Sequence, residues 1–263
     1  MIESTEVPES VEQLTVGWRA MVLDQNPDAD VRDLPGVAVR WADCKFPFWN
    51  CVTLTESGIE ADLLAQRFAE AADVMRTKQE FGFLWVFEDL AEGADLDALA
   101  DRAGLAYAFP GTGMAGDLLP IPEPSHAELT FERVTTDEQL QAYADINSRA
   151  YGFDLEAGRD GIGGSALWKS GVHAYLGLED GVPVTCAGAV ETAGRLFVVL
   201  VATEPGSERR GYGEAVTRKA LYEAWRATGI TRATLHATVA GAPVYPRIGF
   251  EPNSPIRFYA LKG

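Results

Sequence analysis

The residues best equipped for chemistry lie between Arg195 and Phe250. A nearly unbroken apolar run, RLFVVLVAT, leads into Pro205-Gly206-Ser207 and then Glu208-Arg209-Arg210-Gly211-Tyr212-Gly213, at the head of a helical pattern. Glycines at a helix start let the backbone come close to a ligand. The first helical N–H groups lack intrahelical acceptors and point towards it. Arg209 and Arg210 add positive charge at a helix end where the dipole ordinarily disfavours cations. Together these features describe a cradle for a pyrophosphate. Further on, Tyr245-Pro246-Arg247-Ile248-Gly249-Phe250 follows a short helical stretch, and a phenol there could donate a proton to a developing anion. The plainer alternatives are glycines that merely permit a tight turn and a tyrosine packed under Gly249. The dinucleotide pattern G-x-G-x-x-G fails at Val216, and no G-K-[ST], G-x-S-x-G, H-E-x-x-H or C-x-x-C occurs.

Taken in order, these two motifs resemble those of the GNAT superfamily of N-acetyltransferases. Pro205 is followed by Glu-Arg-Arg-Gly-Tyr-Gly where the family has Gln/Arg-x-x-Gly-x-Gly/Ala, and Tyr245 to Phe250 matches its Tyr-x-x-x-Gly-Phe. The resemblance spans residues 128–263. It implies an α/β (α+β) fold with a mixed, mostly antiparallel sheet flanked by helices. It also implies acetyl-CoA as cosubstrate. By position, the loop Glu208, Arg209, Arg210, Gly211, Tyr212, Gly213 and Glu214 would hold the pyrophosphate, and the main chain of Val201, Ala202 and Thr203 the pantetheine arm. The strand over 232–238 would splay away and open a slot for the thioester, with Tyr245 protonating the departing CoA thiolate. Glu208 departs from the pattern: a carboxylate beside a pyrophosphate is unfavourable unless it turns away or pairs with Arg209 or Arg210. Thr238 and Gly241 replace the family's frequent Asn and Ala. The implied activity is direct acetyl transfer to a primary amine. A catalytically silent acyl-CoA-binding or sensor protein is the alternative, favoured by Glu208 and by the lack of an unmistakable base.

Direct transfer needs an amine made neutral by a base. Glu191, ending a strand next to the cofactor strand, is the leading carboxylate, with hairpin capping as its other reading. His236 on the splaying strand and His173 before another strand are the histidine candidates, each with a structural alternative. Asn147, Arg149, Tyr151 and Asp154 close the first helix of this half, a region that lines the acceptor pocket in the family.

The elements that must position these groups form two similar series. Helical periodicity marks Glu9–Asp24, Glu60–Lys78, Asp95–Ala103, Thr136–Tyr151 (Leu140, Tyr143, Ile146 and Ala150 inward) and Gly213–Thr228, with a short helix near Ala242–Arg247. Strands are expected at Val37–Trp41, Asn50–Thr55, Phe83–Phe87, Leu105–Phe109, Met114–Leu118, Leu129–Val134, Ala174–Leu178, Val182–Glu191, Arg195–Thr203, Arg232–Thr238 and Phe258–Leu261. Asn26–Gly36 and Gly161–Gly164 read as loops, and residues 1–8 as a flexible tail. Residues 119–125, LPIPEPS, read as an extended connector. They divide a degenerate GNAT-like half, 1–125, from a GNAT-like half, 126–263. The first half lacks a glycine loop, with none in Arg76-Thr77-Lys78-Gln79-Glu80, and reads as non-catalytic. Its Phe46-Pro47-Phe48-Trp49 suits a pocket wall or, better, an interdomain plug.

The 263 residues carry a formal net charge of −17, which argues against nucleic acid and anionic membranes as partners. Residues 1–125 hold 23 acidic and 8 basic residues, leaving 16 and 14 in residues 126–263, so the second half tolerates an anionic ligand better. The acidic half would attract a cationic amine such as an aminoglycoside, polyamine or lysine, or else is simply a soluble surface. Cys44, Cys51 and Cys186 form no framework and the histidines are scattered, so a reduced cytoplasmic protein without a metal is expected. The acidic N-terminus is unlike a signal peptide, and no run of about 18 apolar residues occurs. A homodimer is left open.

Overall fold

The computed structural model describes residues 8–263; the expected tail lies outside the described residues except for Pro8. In chain order the elements are α1 (Glu9–Gln25), β1 (Asp30–Leu34), β2 (Val37–Trp41), β3 (Asn50–Leu54), α2 (Ala61–Arg76), β4 (Phe83–Phe87), α3 (Leu96–Arg102), β5 (Leu105–Asp117), β6 (Thr130–Arg133), α4 (Asp137–Tyr151), α5 (Leu155–Ile162), α6 (Ala166–Ser170), β7 (His173–Glu179), β8 (Val182–Thr192), β9 (Arg195–Thr203), α7 (Tyr212–Thr228), β10 (Arg232–Thr238) and β11 (Glu251–Leu261). Short 3-10 turns stand at Pro47–Trp49, Glu88–Ala91 and Tyr245–Arg247. Among the described residues no helix is long and apolar enough to cross a membrane.

The chain forms two compact units. One reaches Gly113 and takes in Pro252–Gly263; the other is Met114–Glu251. The division thus falls at 113/114 and again at 251/252, not at the proline-rich stretch 119–125. Two facts account for this. The two strands expected around Phe109 and Met114 are one uninterrupted strand, β5. The final strand begins at Glu251, well before Phe258, and pairs antiparallel with β4 from Ile256↔Phe87 to Tyr259↔Leu84.

In the first unit the strands run β1-β2-β3-β4-β11, antiparallel except for β3 with β4. Its core is aromatic. Trp18 meets Trp49 and Trp85 edge to face, with centroids 5.0 and 5.8 Å apart, and Phe46 meets both Phe48 and Trp49. The aromatic cluster singled out in the sequence therefore packs within this unit's own core. Strand β1 lies in the segment expected to be a loop. Its sequence, DVRDL, carries no apolar alternation because the strand pairs with β2 alone and has no fully buried residue.

In the second unit the order is β10-β9-β8-β7-β6, with β9 and β10 parallel and the rest antiparallel. Helix α4 opens on a capping box, Thr136 with Gln139. Helix α5 takes in Gly161 and Ile162 of the expected glycine loop, leaving Gly163 and Gly164 in the link to α6. One face of the sheet buries Ala187, Ala189, Leu196, Val198, Ala233 and Leu235 with Val216, Ala220 and Leu221 of α7. The opposite face carries α4, whose buried residues are Leu140, Tyr143, Ala144, Ile146, Asn147 and Ser148. Ala150, expected to face inward, is exposed.

Candidate cofactor cradle and acyl-transfer site

The site is built where β9 parts from β10. The two strands pair at only three positions, Leu196↔Ala233, Phe197↔Thr234 and Val198↔Leu235. Beyond these β9 continues to Thr203 and β10 to Thr238 without further pairing. The parting begins at an irregularity in β9. Cys186 faces Ala202 while Gly188 faces Val199, so Leu200 and Val201 stand opposite Ala187 alone, and Leu200 has φ +47°. This is a bulge, which bends its strand and raises the local twist.

Past the bulge the chain turns through Gly206 and the left-handed Arg209 to Gly211, the N-cap of α7, with φ +82°. An L-residue is strained in that conformation, so glycine here answers a backbone need. The first intrahelical bond runs from Ala215 N–H to the Gly211 carbonyl, so Tyr212, Gly213 and Glu214 keep N–H groups without helical acceptors. At Gly213 a Cβ would sit 3.4 Å from the Thr203 hydroxyl, filling the floor between strand end and helix start. The cradle is therefore made of backbone donors and of glycines that leave it open.

The side chains around it are arranged differently from the sequence expectation. Arg210 is not directed at the cradle. Its guanidinium pairs with Glu179 at 2.9 Å and with Glu128 at 3.0 Å, and lies 4.6 Å over the Tyr212 ring. Tyr212 donates its hydroxyl to Glu128 at 2.9 Å. The Tyr212 hydrogen bond, with Arg210, holds the Glu128 carboxyl below its ordinary pKa, and Arg210 does the same for Glu179. His126 lies 3.1 Å from the Arg210 carbonyl through Nε2 and stacks edge-on against Tyr212. Glu208 turns back into its own loop: its carboxylate accepts the Gly206 N–H at 2.7 Å, and backbone N–H groups lower its pKa. Glu214 is held by Arg218 at 2.9 Å and by Arg247 at 3.1 Å. Arg209 alone of the loop cations has no ion-pair partner among the described residues, so the charge expected of two arginines is supplied by one.

Tyr245 opens the turn after β10 and is buried with the α7-face cluster, next to Phe250 at a centroid distance of 5.8 Å. Burial raises its pKa above the ordinary phenol range. Among the described residues its hydroxyl has no hydrogen-bond partner. Thr238 and Gly241 shape this turn: the Gly241 N–H meets the Thr238 carbonyl at 3.1 Å, and a Cβ on Gly241 would lie 3.7 Å from the Tyr245 hydroxyl.

The proposed acceptor residues are scattered. His236 shares a sheet face with Phe197, whose ring lies 5.2 Å away. Glu191 pairs with Leu196 and shares the opposite face with Ala187 and Ala189. It is exposed, and it stands three register positions, about 10 Å, before the point where the strands part. Tyr245 stands in the turn that follows the end of β10 unpaired with β9, whereas Glu191 lies before the strands part. His173 contacts Arg133 at 3.5 Å, and desolvation lowers its pKa, a structural role. Arg149 grips Glu204, and Asp154 is the N-cap residue of α5. Asn147 is fully buried and donates to the Tyr143 carbonyl and to Cys186 Sγ, with its own Oδ1 unpartnered. The Tyr151 hydroxyl donates to the Val201 carbonyl at 3.1 Å. Asn147 thus bonds within α4 and to β8, and Tyr151 bonds to β9; neither faces an exposed acceptor surface.

Sequence reasoning missed His126, Glu128, Glu179 and Tyr143. The first three come from two segments distant in sequence, His126 and Glu128 before β6 and Glu179 at the end of β7. Tyr143 did carry a signal, standing four and eight residues before Asn147 and Tyr151 on one helix face.

No family model and no curated protein matches the sequence. Solved structures do match. A GCN5-related N-acetyltransferase from Kribbella flavida superposes with a TM-score of 0.69 at 20% identity, over 94% of each chain. One from Sphaerobacter thermophilus gives 0.60 at 15%, over 98% of this chain and 95% of that one. A tandem GNAT protein from the clavulanic acid biosynthesis pathway gives 0.51 at 14%, over 98% of each. The chain has the fold of the GCN5-related N-acetyltransferases, and shares it along nearly its whole length with a tandem GNAT protein.

Proposed function

We propose that the second unit is an N-acetyltransferase that uses acetyl-CoA and a primary amine. The observation that supports this reading is the conjunction of the parted strands with a glycine-capped helix start and an unpartnered Tyr245 hydroxyl in the turn that follows β10. Bound acetyl-CoA would supply an acetyl group activated as a thioester. The N–H groups of Tyr212, Gly213 and Glu214 would hold its pyrophosphate, where the helix dipole favours negative charge. Arg209 adds the one uncommitted cation. The main chain of Val201, Ala202 and Thr203, facing the gap, would hold the pantetheine arm. Glu208 does not oppose this arrangement, because its charge is turned into the Gly206 amide. Tyr245 keeps its proton at neutral pH and would deliver it to the thiolate as that group leaves. The acceptor we expect is a cationic amine, in keeping with the acidic balance of the chain.

One observation favours a second reading, a silent acyl-CoA-binding or sensor protein: Glu191 is not at the gap, so no carboxylate among the sequence candidates is placed to deprotonate an amine. Calorimetric titration of acetyl-CoA into the wild type and Gly211→Glu tests the cradle. Wild-type binding that is lost in the folded variant supports it; no wild-type binding removes both readings. A panel of polyamines, aminoglycosides and lysine peptides then separates enzyme from sensor, turnover meaning the former.

A further inference from the structure

Helix α4 aims two phenols at the bulge of β9. The Tyr143 hydroxyl lies 2.9 Å from the Leu200 carbonyl and 3.2 Å from that of Val199, and the Tyr151 hydroxyl donates to the Val201 carbonyl at 3.1 Å. These three consecutive carbonyls span the bulge. In a regular antiparallel ladder the neighbouring strand supplies N–H donors, but a bulge leaves its extra residue unpaired. A buried carbonyl without a donor is costly, and Leu200 adds the strain of a left-handed backbone. The phenols supply donors at the bulge, where the Leu200 carbonyl otherwise receives only the weak Cys186 thiol among the side chains, at 3.9 Å. The opposite strand makes room: a Cβ at Gly188, the residue facing Val199, would lie 3.3 Å from the Tyr143 hydroxyl. On its other edge, β9 loses β10 after Val198, so the clamped residues are the ones that leave the parallel neighbour.

We propose that Tyr143 and Tyr151 are positioning residues that hold the β9 bulge and so fix the width of the slot between β9 and β10, without touching the ligand. The proposal rests on the acyl-donor reading above. It makes α4, rather than the strand ladder, the element that sets the slot. It also separates two parts of the binding surface: the cradle at the head of α7, which the phenols do not touch, and the slot, which they shape.

The test uses Tyr143→Phe, Tyr151→Phe and the double variant in the full chain, since phenylalanine keeps the ring and removes only the donor. Two ligands are titrated: ADP, which can engage the cradle alone, and acetyl-CoA, which must also enter the slot. In the double variant acetyl-CoA should weaken about tenfold or more while ADP changes less than about twofold, as two lost buried hydrogen bonds would allow. Amide exchange at Val199–Val201 should quicken without faster exchange in α7. If the double variant does not fold, the same split at about threefold is expected for Tyr151→Phe alone. Unchanged acetyl-CoA affinity in a folded variant overturns the proposal, as does equal weakening of both ligands. Failure of the wild type to bind either ligand would instead remove the acyl-donor reading on which the proposal stands.

Discussion

Each unit carries a strand that crosses through a helix to a parallel neighbour, β3–α2–β4 in the first and β9–α7–β10 in the second, and in both the parallel pairing covers three positions. The chemistry differs at every point where the topology agrees. Strand β3 keeps an unbroken register with β2, from Val37↔Leu54 to Trp41↔Asn50, whereas β9 is bulged against β8. The turn into α2 is acidic: Glu60 caps the helix in an extended conformation, Asp62 sits in its first turn, and Glu56 is held by Arg67 at 3.0 Å. This turn, rather than residues 76–80, is the counterpart of the glycine loop, because it is the link between strand and crossover helix. The turn into α7 has Gly211 at the cap and open amides. After β4, Glu88 and Asp97 hold Arg257, and the Tyr259 phenol donates to Asp97 at 2.9 Å; after β10, Tyr245 donates to nothing described. One topology thus serves a unit that ties its turn to its own helix through Arg67 and the unit we propose to bind the acyl donor, and the distinction lies in a few turn residues and one bulge.

The sharpest contrast is between the two phenols. Tyr245→Phe should lower turnover by roughly 100-fold while leaving acetyl-CoA affinity nearly unchanged, the loss expected of a general acid. Tyr259→Phe, in the first unit, should leave the rate alone. Because burial holds the Tyr245 pKa above the usual phenol value, the proton donor stays intact as pH rises, and the rate should show no alkaline fall until above about pH 10. The buried phenols of Tyr143 and Tyr151 are raised in the same sense. Their contribution to stability is complete below the unfolded phenol pKa and is lost as pH climbs past it, so unfolding should ease in that range. An equal rate loss in both Phe variants would break the comparison.

A second contrast concerns the strand-to-helix turns. Arg67 is nearly buried and joins Glu56 to Glu70, whose pKa it lowers by hydrogen bonding. Arg67→Met should destabilise the protein by about 1 kcal/mol, since it removes two charged hydrogen bonds whose carboxylates are partly solvated. Denaturant unfolding measures that loss. Acetyl-CoA affinity should be unaffected at temperatures where the variant is folded. A parallel loss of affinity would mean that the acidic turn takes part in binding.

What the sequence made legible follows the range of the interactions. The glycine-capped helix start at Gly211–Gly213 and the turn at Tyr245 could be read because each is set by residues close in sequence. Only the end of strand β11, Phe258–Leu261, could be read; its first half carries Pro252 and Pro255, and its place is set by pairing with β4, distant in sequence. The bulge is invisible because Leu200 lies in a run of apolar residues, and its left-handed φ leaves no trace in residue type. The pairing of Arg210 with Glu128 and Glu179 is also long-range. Read locally, Arg210 was a phosphate ligand; in the fold it anchors the loop.

That anchoring gives the smallest and most discriminating difference. Glu128 receives the Tyr212 hydroxyl and shares the Nη2 arm of Arg210 with Glu179, which also takes the Nη1 arm. Glu128→Gln keeps an oxygen for Tyr212 and leaves Arg210 on Glu179, so the loop should hold its shape. The surroundings of the cradle lose one negative charge. A diphosphate ligand should then bind about two- to threefold more tightly at low ionic strength, because a unit charge several ångströms away in a watery setting is worth little more. The gain should fade in about 1 M salt, where screening extends only about 3 Å. The matched change in the first unit, Glu56→Gln, should alter ligand affinity at neither ionic strength. Weaker binding by Glu128→Gln at both salt concentrations would show that the carboxylate serves as a tether the amide cannot replace. Loop shape would then outweigh charge at the cradle, and the contrast between the two turns would be one of geometry more than of electrostatics.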